Sequence, residues 1–270
     1  MAPTFAQWID RQQWFHALVR MLRLRALVSL FLRIRPWSRT FPSGTRVEVT
    51  DLESFYLSDE IFHRETYRRA LTLAGDVRTV MDIGCNIGFF CCYLRSYFGR
   101  SDFSGMGIDA NPAILKQTRR NLQLNDLHGI KLVHGLAGGS QESPTQDFYL
   151  YASHLGSSQF AQSETGRVLK GDWKKIVVPV LNPIELWRAE YGDTPIDLLK
   201  IDIEGSEGKL LSTHAALFQQ TKCAVLEWHK WLVKEEELFP VLHELGFIYR
   251  EALETGKTAE LWFFSRKDPR

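Results

Sequence analysis

A glycine turn followed by an acid one strand later constrains the fold of this chain more than any other feature. Residues 80–88 read Val-Met-Asp-Ile-Gly-Cys-Asn-Ile-Gly, and Asp109 follows Gly88 after 21 positions. A strand, a turn, a helix, a second strand and an acid in this order are typical of a parallel α/β sheet that binds an adenosine-containing cofactor. The glycines bring the backbone close to a ligand, and the acid can accept hydrogen bonds from ribose hydroxyls.

The spacing of the glycines distinguishes between cofactors. A dinucleotide fingerprint requires G-x-G-x-x-G, because a pyrophosphate lies on the helix N-terminus. Here three residues separate Gly84 from Gly88, and Asp82 precedes the turn. A carboxylate at that position repels a pyrophosphate but suits the ammonium and sulfonium groups of S-adenosylmethionine. The D-x-G-x-x-x-G pattern resembles motif I of the class I methyltransferases. The alternative is a glycine turn in some other α/β protein.

The arginines are concentrated at the start of the chain. Residues 1–46 contain eight arginines and one acid, although the formal net charge of all 270 residues is +1. We predict an arginine-rich helical extension over residues 1–46 and a class I methyltransferase domain over 47–270, with an inserted segment near 138–182. Because the basic charge is confined to the extension, and no aromatic-plus-basic sheet motif accompanies it, we expect no nucleic-acid partner.

The segment over residues 14–35 has two interpretations. It mixes apolar residues with arginines, and its longest uncharged run, Ala26 to Leu32, is far too short to span a bilayer. One interpretation is a basic interfacial helix in peripheral contact with anionic lipid or a lipid-linked substrate. The other, which we favour, is a helix packed on its own domain or in a homodimer.

Cysteine usage and the N-terminal sequence bear on the compartment. The four cysteines have neither metal-site spacing nor the spacing of a secreted disulfide framework. Arginines interrupt the segment in which a signal peptide would need an apolar core. We therefore expect a cytoplasmic protein, with membrane association as the alternative.

Strands and helices alternate after the glycine turn. We predict core strands at residues 77–82, 105–109, 130–135, 196–203 and 223–228 and a closing hairpin at 247–252 and 261–265. This order implies an α/β fold with a mostly parallel, Rossmann-like sheet that contains one antiparallel strand from the hairpin. We also predict single helices over 57–73 and 207–218, and extra strands at 147–152 and 176–181 within the insertion.

A second motif carries a more specific resemblance. Residues 197–207 read Asp-Leu-Leu-Lys-Ile-Asp-Ile-Glu-Gly-Ser-Glu, and residues 227–229 read Glu-Trp-His. Together with the glycine turn and Asp109, these motifs resemble the FkbM family of methyltransferases over roughly residues 53–265. The resemblance implies methyl transfer from S-adenosylmethionine to a hydroxyl of a sugar, polyketide or similar small-molecule or carbohydrate acceptor. Cys85 departs from the small residue usual at its position, which puts the space beside the ligand in doubt.

The resemblance assigns cofactor contacts to particular residues. Gly84 and Gly88 would open the turn for the methionine part, Asn86 would shape it, and Asp82 would bind the ammonium directly or through water. Asp109 would accept hydrogen bonds from both ribose hydroxyls. A helix cap before Pro112 is the other interpretation of Asp109, although Asn111 can fill that role. The full set expected to bind the cofactor is Asp82, Gly84, Asn86, Gly88, Asp109, Ala110, Leu136 and Ala137.

Four polar residues follow the fourth and fifth core strands. Asp202 and Glu204 are two apart, which places them on one side of a strand, and Glu227 and His229 repeat that spacing. O-methylation needs a proton acceptor beside the hydroxyl. We predict His229 or Asp202 as the general base, because an unperturbed histidine titrates near neutrality, with Glu204 and Glu227 orienting the acceptor.

Two alternatives concern the same four residues, and two concern the whole chain. The set Asp202, Glu204, Glu227 and His229 could hold Mg²⁺ or Mn²⁺, or it could be a satisfied polar network. The chain as a whole could be a non-catalytic scaffold that docks to membrane or protein. It could also be a nicotinamide-dependent oxidoreductase, although the missing G-x-G-x-x-G argues against that function.

Overall fold

The computed structural model describes residues 25–139, 142–151, 173–230 and 233–269. Residues 1–24 of the predicted extension and residues 140–141 and 152–172 of the predicted insertion lie outside these ranges. The strands are β1 (Trp37–Thr40), β2 (Arg46–Val49), β3 (Thr79–Ile83), β4 (Ser104–Asp109), β5 (Ile130–His134), β6 (Thr145–Tyr151), β7 (Trp173–Pro179), β8 (Ile196–Ile201), β9 (Thr221–His229), β10 (Tyr249–Thr255) and β11 (Ala259–Ser265). The helices are α1 (Arg25–Ile34), α2 (Leu52–Phe62), α3 (Arg68–Ala74), α4 (Phe89–Phe98), α5 (Pro112–Gln123), α6 (Pro183–Tyr191), α7 (Glu207–Thr213), α8 (Ala215–Gln219) and α9 (Glu235–Glu244).

A seven-stranded sheet in the order β10-β11-β9-β8-β3-β4-β5 forms the centre of the molecule. Strands β9, β8, β3, β4 and β5 are parallel, and β11 pairs antiparallel with both β9 and β10. This confirms the predicted α/β class and its single antiparallel strand. The order reverses at β3, so the ends of β3, β4 and β8 open the crevice where α/β sheets bind ligands.

Helices cover both faces of the sheet. Helices α2 to α5 pack on one face, around Phe62, Phe89 and Leu94, and α6 to α9 pack on the other, around Trp187 and Phe218. The central strands are buried on both sides, which explains why they read as near-continuous apolar runs. Helix α4 is bounded by Gly88 and Gly99, which flank it in left-handed conformations.

Two predicted helices are interrupted. The helix expected over 57–73 is split into α2 and α3, because the chain turns at Glu65, which has a φ of 56°. Helix α2 also begins earlier than predicted, at a capping box formed by Asp51 and Ser54. The helix expected over 207–218 is split into α7 and α8 at His214. In neither case does a glycine or proline in the sequence mark the break.

The start of the described chain packs on the rest of the domain. Leu32 of α1 forms a small apolar cluster with Val49 and Phe55. Strands β1 and β2 form a hairpin, which pairs residues on both sides of the predicted boundary at 46/47. The buried Arg39 donates to Ser58 Oγ and to the carbonyl of Phe55. Within the described ranges, no helix has both the length and the apolar character needed to cross a membrane.

Candidate active site

The glycine turn after β3 is wedged between two neighbouring segments. The amides of Gly84 and Cys85 both donate to the carbonyl of Ile108, at 2.9 and 3.0 Å. Gly84 has a φ of 77°, and a Cβ built there would lie 1.7 Å from the carbonyl oxygen of Asp202. The backbone of the turn therefore approaches the end of β8 so closely that only glycine fits.

Asp109 ties the turn to the end of β4. Its Oδ2 accepts from the amide of Asn86 at 2.9 Å, and its Oδ1 accepts from the amide of Asn111 at 2.8 Å. Burial raises the pKa of Asp109 to about 6, against the opposing effect of these two hydrogen bonds. Asn111 caps α5, because its side chain accepts from the amide of Ala113. Asp109 and Asn111 were the two candidates for the helix cap before Pro112. Asn111 forms that cap, and the Asp109 carboxylate remains at the cavity.

A cavity of about 240 Å³ opens beside the turn. Six of the residues expected to bind the cofactor line it, together with three of the four expected catalytic residues. The first group is Gly84, Asn86, Asp109, Ala110, Leu136 and Ala137, and the second is Asp202, Glu204 and Glu227. The carboxyl ends of five neighbouring strands, β9, β8, β3, β4 and β5, thus contribute to one cavity.

Gly88 and Asp82 lie behind the cavity wall. Gly88 begins α4 with a φ of 80°, and a Cβ there would lie 2.7 Å from Cγ2 of Thr118, so its conformation serves helix packing. Asp82 is fully buried, and its Oδ1 lies 3.4 Å from Nζ of Lys200. Burial raises the pKa of Asp82, and the Lys200 charge opposes that shift. A ligand in the cavity would meet Lys200 before it met the Asp82 carboxylate.

Lys200 connects the turn to the acidic side of the cavity. Its Nζ donates to the carbonyl of Gly84 at 2.7 Å and lies 3.5 Å from Oδ2 of Asp202. Burial opposes its charge, but the carboxylates of Asp82 and Asp202 together raise the pKa of Lys200 well above its usual value. Lys200 is therefore a buried cation shared between two carboxylates.

Acidic side chains surround one buried histidine on the far side of the cavity. His229 Nδ1 donates to Glu207 at 2.9 Å, and its Nε2 lies 3.5 Å from Glu204 and 4.0 Å from Glu227. Burial opposes a charge on His229, but the Glu207 hydrogen bond and the nearby carboxylates raise its pKa to about 10. The charge of Asp202, and then burial, raise the pKa of Glu227 to about 8.

Strand alternation does not explain the position of Glu204. Strand β8 ends at Ile201, two residues earlier than predicted, and Glu204 has a φ of 51° in the turn that follows. A left-handed conformation in a residue other than glycine costs about 1–3 kcal/mol, and such strain is often found at functional sites. Asp202 and Glu204 therefore reach the cavity from a loop rather than from one side of a strand.

Comparison with known proteins identifies the family. A family model described as "Methyltransferase FkbM domain" matches residues 82–249, more than half of the chain. This protein belongs to the FkbM methyltransferase family. Among curated proteins, it is 24% identical to "Methyltransferase sdnD" of Sordaria araneosa over 186 residues, which cover 60% of this chain and 70% of that protein. The methyltransferase function expected from sequence is thereby confirmed at this level, and the oxidoreductase alternative is set aside.

Solved structures resemble this FkbM methyltransferase at low sequence identity. The methyltransferase domain of METTL16 (crystal form 2) is 12% identical, with a TM-score of 0.47, and the match covers 98% of this chain and 97% of that one. An O-methyltransferase from Bacillus cereus in complex with SAH is 11% identical, with a TM-score of 0.44, and the match covers 75% and 79%. Likeness at these values carries no argument about substrate.

Three of the four residues considered for a divalent cation come together. Asp202, Glu227 and His229 each offer a ligand atom, and these atoms lie within 4.8 Å of one another. In this FkbM methyltransferase, however, the pKa of His229 is raised to about 10, so both ring nitrogens of His229 are protonated near neutrality. The imidazolium itself balances part of the acidic charge, and a bound cation would have to displace that proton.

Several residues at the site of this FkbM methyltransferase carried no clear signal in the sequence. Phe148 of β6 lines the cavity beside Ala110 and Leu136, because the inserted hairpin folds over the end of β5. Glu60 of α2 and Tyr67 reach the cavity from the segment that precedes the core. Nothing in the spacing of Glu60 and Tyr67 along the sequence indicated that their side chains face the site.

Proposed function

We propose that this methyltransferase binds S-adenosylmethionine in the 240 Å³ cavity and methylates a hydroxyl of a sugar, glycan or natural-product acceptor. The proposal rests on one observation: two acidic residues, Asp109 and Glu227, line different walls of the same cavity. Asp109 lies at the glycine turn, where a ribose would bind, and Glu227 lies on the far wall beside Asp202. The first acid suits the cofactor, and the second suits removal of a proton.

The cofactor half of the proposal rests on the turn and its neighbours. Asp109 is oriented by two backbone amides, which leaves carboxylate lone pairs for the ribose hydroxyls. Ala110, Leu136 and Phe148 form an apolar wall that fits an adenine ring. The close approach of Gly84 gives the methionine part access to the backbone. We assign Asp82 an indirect role, through Lys200, in shaping this turn.

The acceptor half of the proposal assigns the proton transfer to Glu227. S-adenosylmethionine supplies a methyl group on a positively charged sulfur. Transfer of this methyl group to the acceptor oxygen would break the carbon–sulfur bond and leave S-adenosylhomocysteine, and the Glu227 carboxylate would take the proton of the hydroxyl. A proton acceptor works best when its pKa lies near the working pH, and the pKa of Glu227 is raised to about 8. Asp202 is the neighbour that sets this value.

His229 takes a different role from the one expected of it. Its imidazole is buried and held by Glu207, and its pKa of about 10 makes it a weak proton acceptor near neutrality. We assign it to positioning, because its charge holds Glu204 and Glu227 at the cavity wall. An unperturbed histidine would titrate near neutrality, but, against the effect of burial, the contact with Glu207 raises the pKa of His229.

A methyl-transfer assay tests the proposal. Purified protein is incubated with methyl-labelled S-adenosylmethionine and a panel of hydroxylated glycosides and polyketides, beside amine-bearing analogues, with and without a chelator. We expect label on oxygen, and the chelator shows whether a cation at Asp202, Glu227 and His229 contributes. Label on nitrogen alone would overturn the hydroxyl assignment. Binding of the cofactor without any transfer would favour the scaffold alternative.

Acidification is expected to weaken cofactor binding through Asp109. The pKa of Asp109 is raised to about 6, and the ribose contact requires its ionised form. Affinity for S-adenosylmethionine should therefore be constant above about pH 7 and fall about tenfold per unit well below pH 6. Calorimetry between pH 5 and 8 measures this dependence. Asp109→Asn should bind the cofactor weakly at every pH, with no further loss of affinity below pH 6. A loss of affinity below pH 6 in that variant would show that a group other than Asp109 titrates.

A further inference from the structure

Helix α1 has an exposed apolar stripe. Leu27, Leu30, Phe31 and Ile34 are 63%, 55%, 61% and 76% exposed, although all four are large and apolar. Leu30, Phe31 and Ile34 follow Leu27 by three, four and seven positions, which places all four on one face of the helix. The other side of α1 is occupied, because Val28 and Leu32 pack against the domain. The exposed stripe is therefore distinct from the face that attaches the helix.

We propose that this stripe docks on the surface of an anionic lipid bilayer. The charge of the surrounding sequence is complementary to such a surface. Residues 1–46 contain eight arginines and one acid, and seven arginines remain when the buried Arg39 is left out. An apolar stripe combined with arginine-rich sequence is typical of helices that lie in the membrane interface, where lipid phosphates attract the arginines and the acyl region accepts the apolar side chains. A purely apolar protein partner would not require this excess of arginine.

The packing of α1 fixes the orientation of the exposed stripe relative to the domain. Leu32 is buried against Val49 of β2 and Phe55 of α2, so α1 is packed against both elements. Helix α2 also lines the cavity through Leu57, Glu60 and Ile61. A bilayer bound to the stripe would thus lie one helix away from the site, and the protein would dock in a fixed orientation.

Vesicle flotation with the 270-residue chain tests this inference. The probes are phosphatidylcholine vesicles with and without phosphatidylglycerol. The test variant is Leu30→Ser/Ile34→Ser, and the matched control is Val177→Ser/Ile248→Ser, which removes two apolar side chains that are 64% and 68% exposed outside α1. We expect binding to the anionic vesicles that weakens with salt, about a tenfold loss in the test variant, and no loss in the control.

Several outcomes would overturn the docking surface. No flotation of the wild-type chain would mean that residues 1–24, a second copy or nothing covers the stripe. Equal flotation of test variant and wild type would place lipid binding elsewhere. A wild-type dimer in light scattering that the test variant converts to a monomer would identify the stripe as a subunit interface. Affinity for S-adenosylmethionine should be the same in all variants, which separates this inference from the proposed function.

Discussion

Gly84→Ala is expected to abolish binding of S-adenosylmethionine and to lower the free energy of unfolding by about 2–5 kcal/mol. The added Cβ would lie 1.7 Å from the carbonyl oxygen and 2.8 Å from the carbonyl carbon of Asp202. Both are backbone atoms, so no side-chain rotation relieves the clash. The chain must instead separate the turn from the end of β8, and that movement deforms the cavity. Denaturant unfolding and calorimetry measure the two effects.

Gly99→Ala is the matched control for this variant. Gly99 also has a positive φ, of 67°, but apart from Gly99 itself and the adjoining backbone no heavy atom of the described residues lies within 4 Å of its added Cβ. This substitution should lower the free energy of unfolding by about 1–2 kcal/mol, through the left-handed backbone conformation alone, and should leave cofactor affinity unchanged. If the two variants were equally stable and both bound the cofactor, the close approach of the turn to Asp202 would not be what the site requires.

Glu227→Gln is expected to lower turnover by about 10²- to 10⁴-fold while cofactor affinity stays near the wild-type value. An amide cannot take the proton of the acceptor. In the wild-type protein the carboxylate must be ionised to act, so turnover should rise with pH and level off above about 8, the pKa of Glu227. The rate of labelled methyl transfer across pH measures both the loss and the profile. Glu236→Gln, on the exposed start of α9, should behave as the wild type.

The neighbour of Glu227 provides a sharper test of the same assignment. The charge of Asp202 is the largest cause of the raised pKa of Glu227. Asp202→Asn removes that charge, so the midpoint of the turnover profile should move to lower pH. A structural role for Glu227 predicts a lower rate without such a shift. A profile that is unchanged in Asp202→Asn would therefore remove Glu227 as the proton acceptor.

The sheet could be predicted from sequence because its signals are local. Each core strand is a short apolar run, and each is followed by a turn or a helix start. Parallel pairing of β8 with β9 then brings Asp202 and Glu227 to the same edge, as expected. The turn at Glu65 was missed because it depends on a left-handed residue that is not glycine.

The electrostatics of the site could not be predicted in the same way. His229 was expected to titrate near neutrality, but it contacts Glu207, which lies 22 positions away in the sequence. Asp82 was expected to meet the cofactor, yet Lys200 lies against it. Phe148 reaches the cavity only because the inserted hairpin folds over β5. Each outcome depends on side chains brought together by the fold rather than by spacing.

Calorimetric titration of the wild-type protein and of Asp109→Ala with S-adenosylmethionine tests the central claim most directly. The account predicts saturable binding by the wild type. It also predicts about ten- to a hundredfold weaker binding by the variant, which lacks a charged hydrogen-bond acceptor for the ribose. Folded wild-type protein that does not bind, or a folded Asp109→Ala variant that binds as tightly as the wild type, would contradict it.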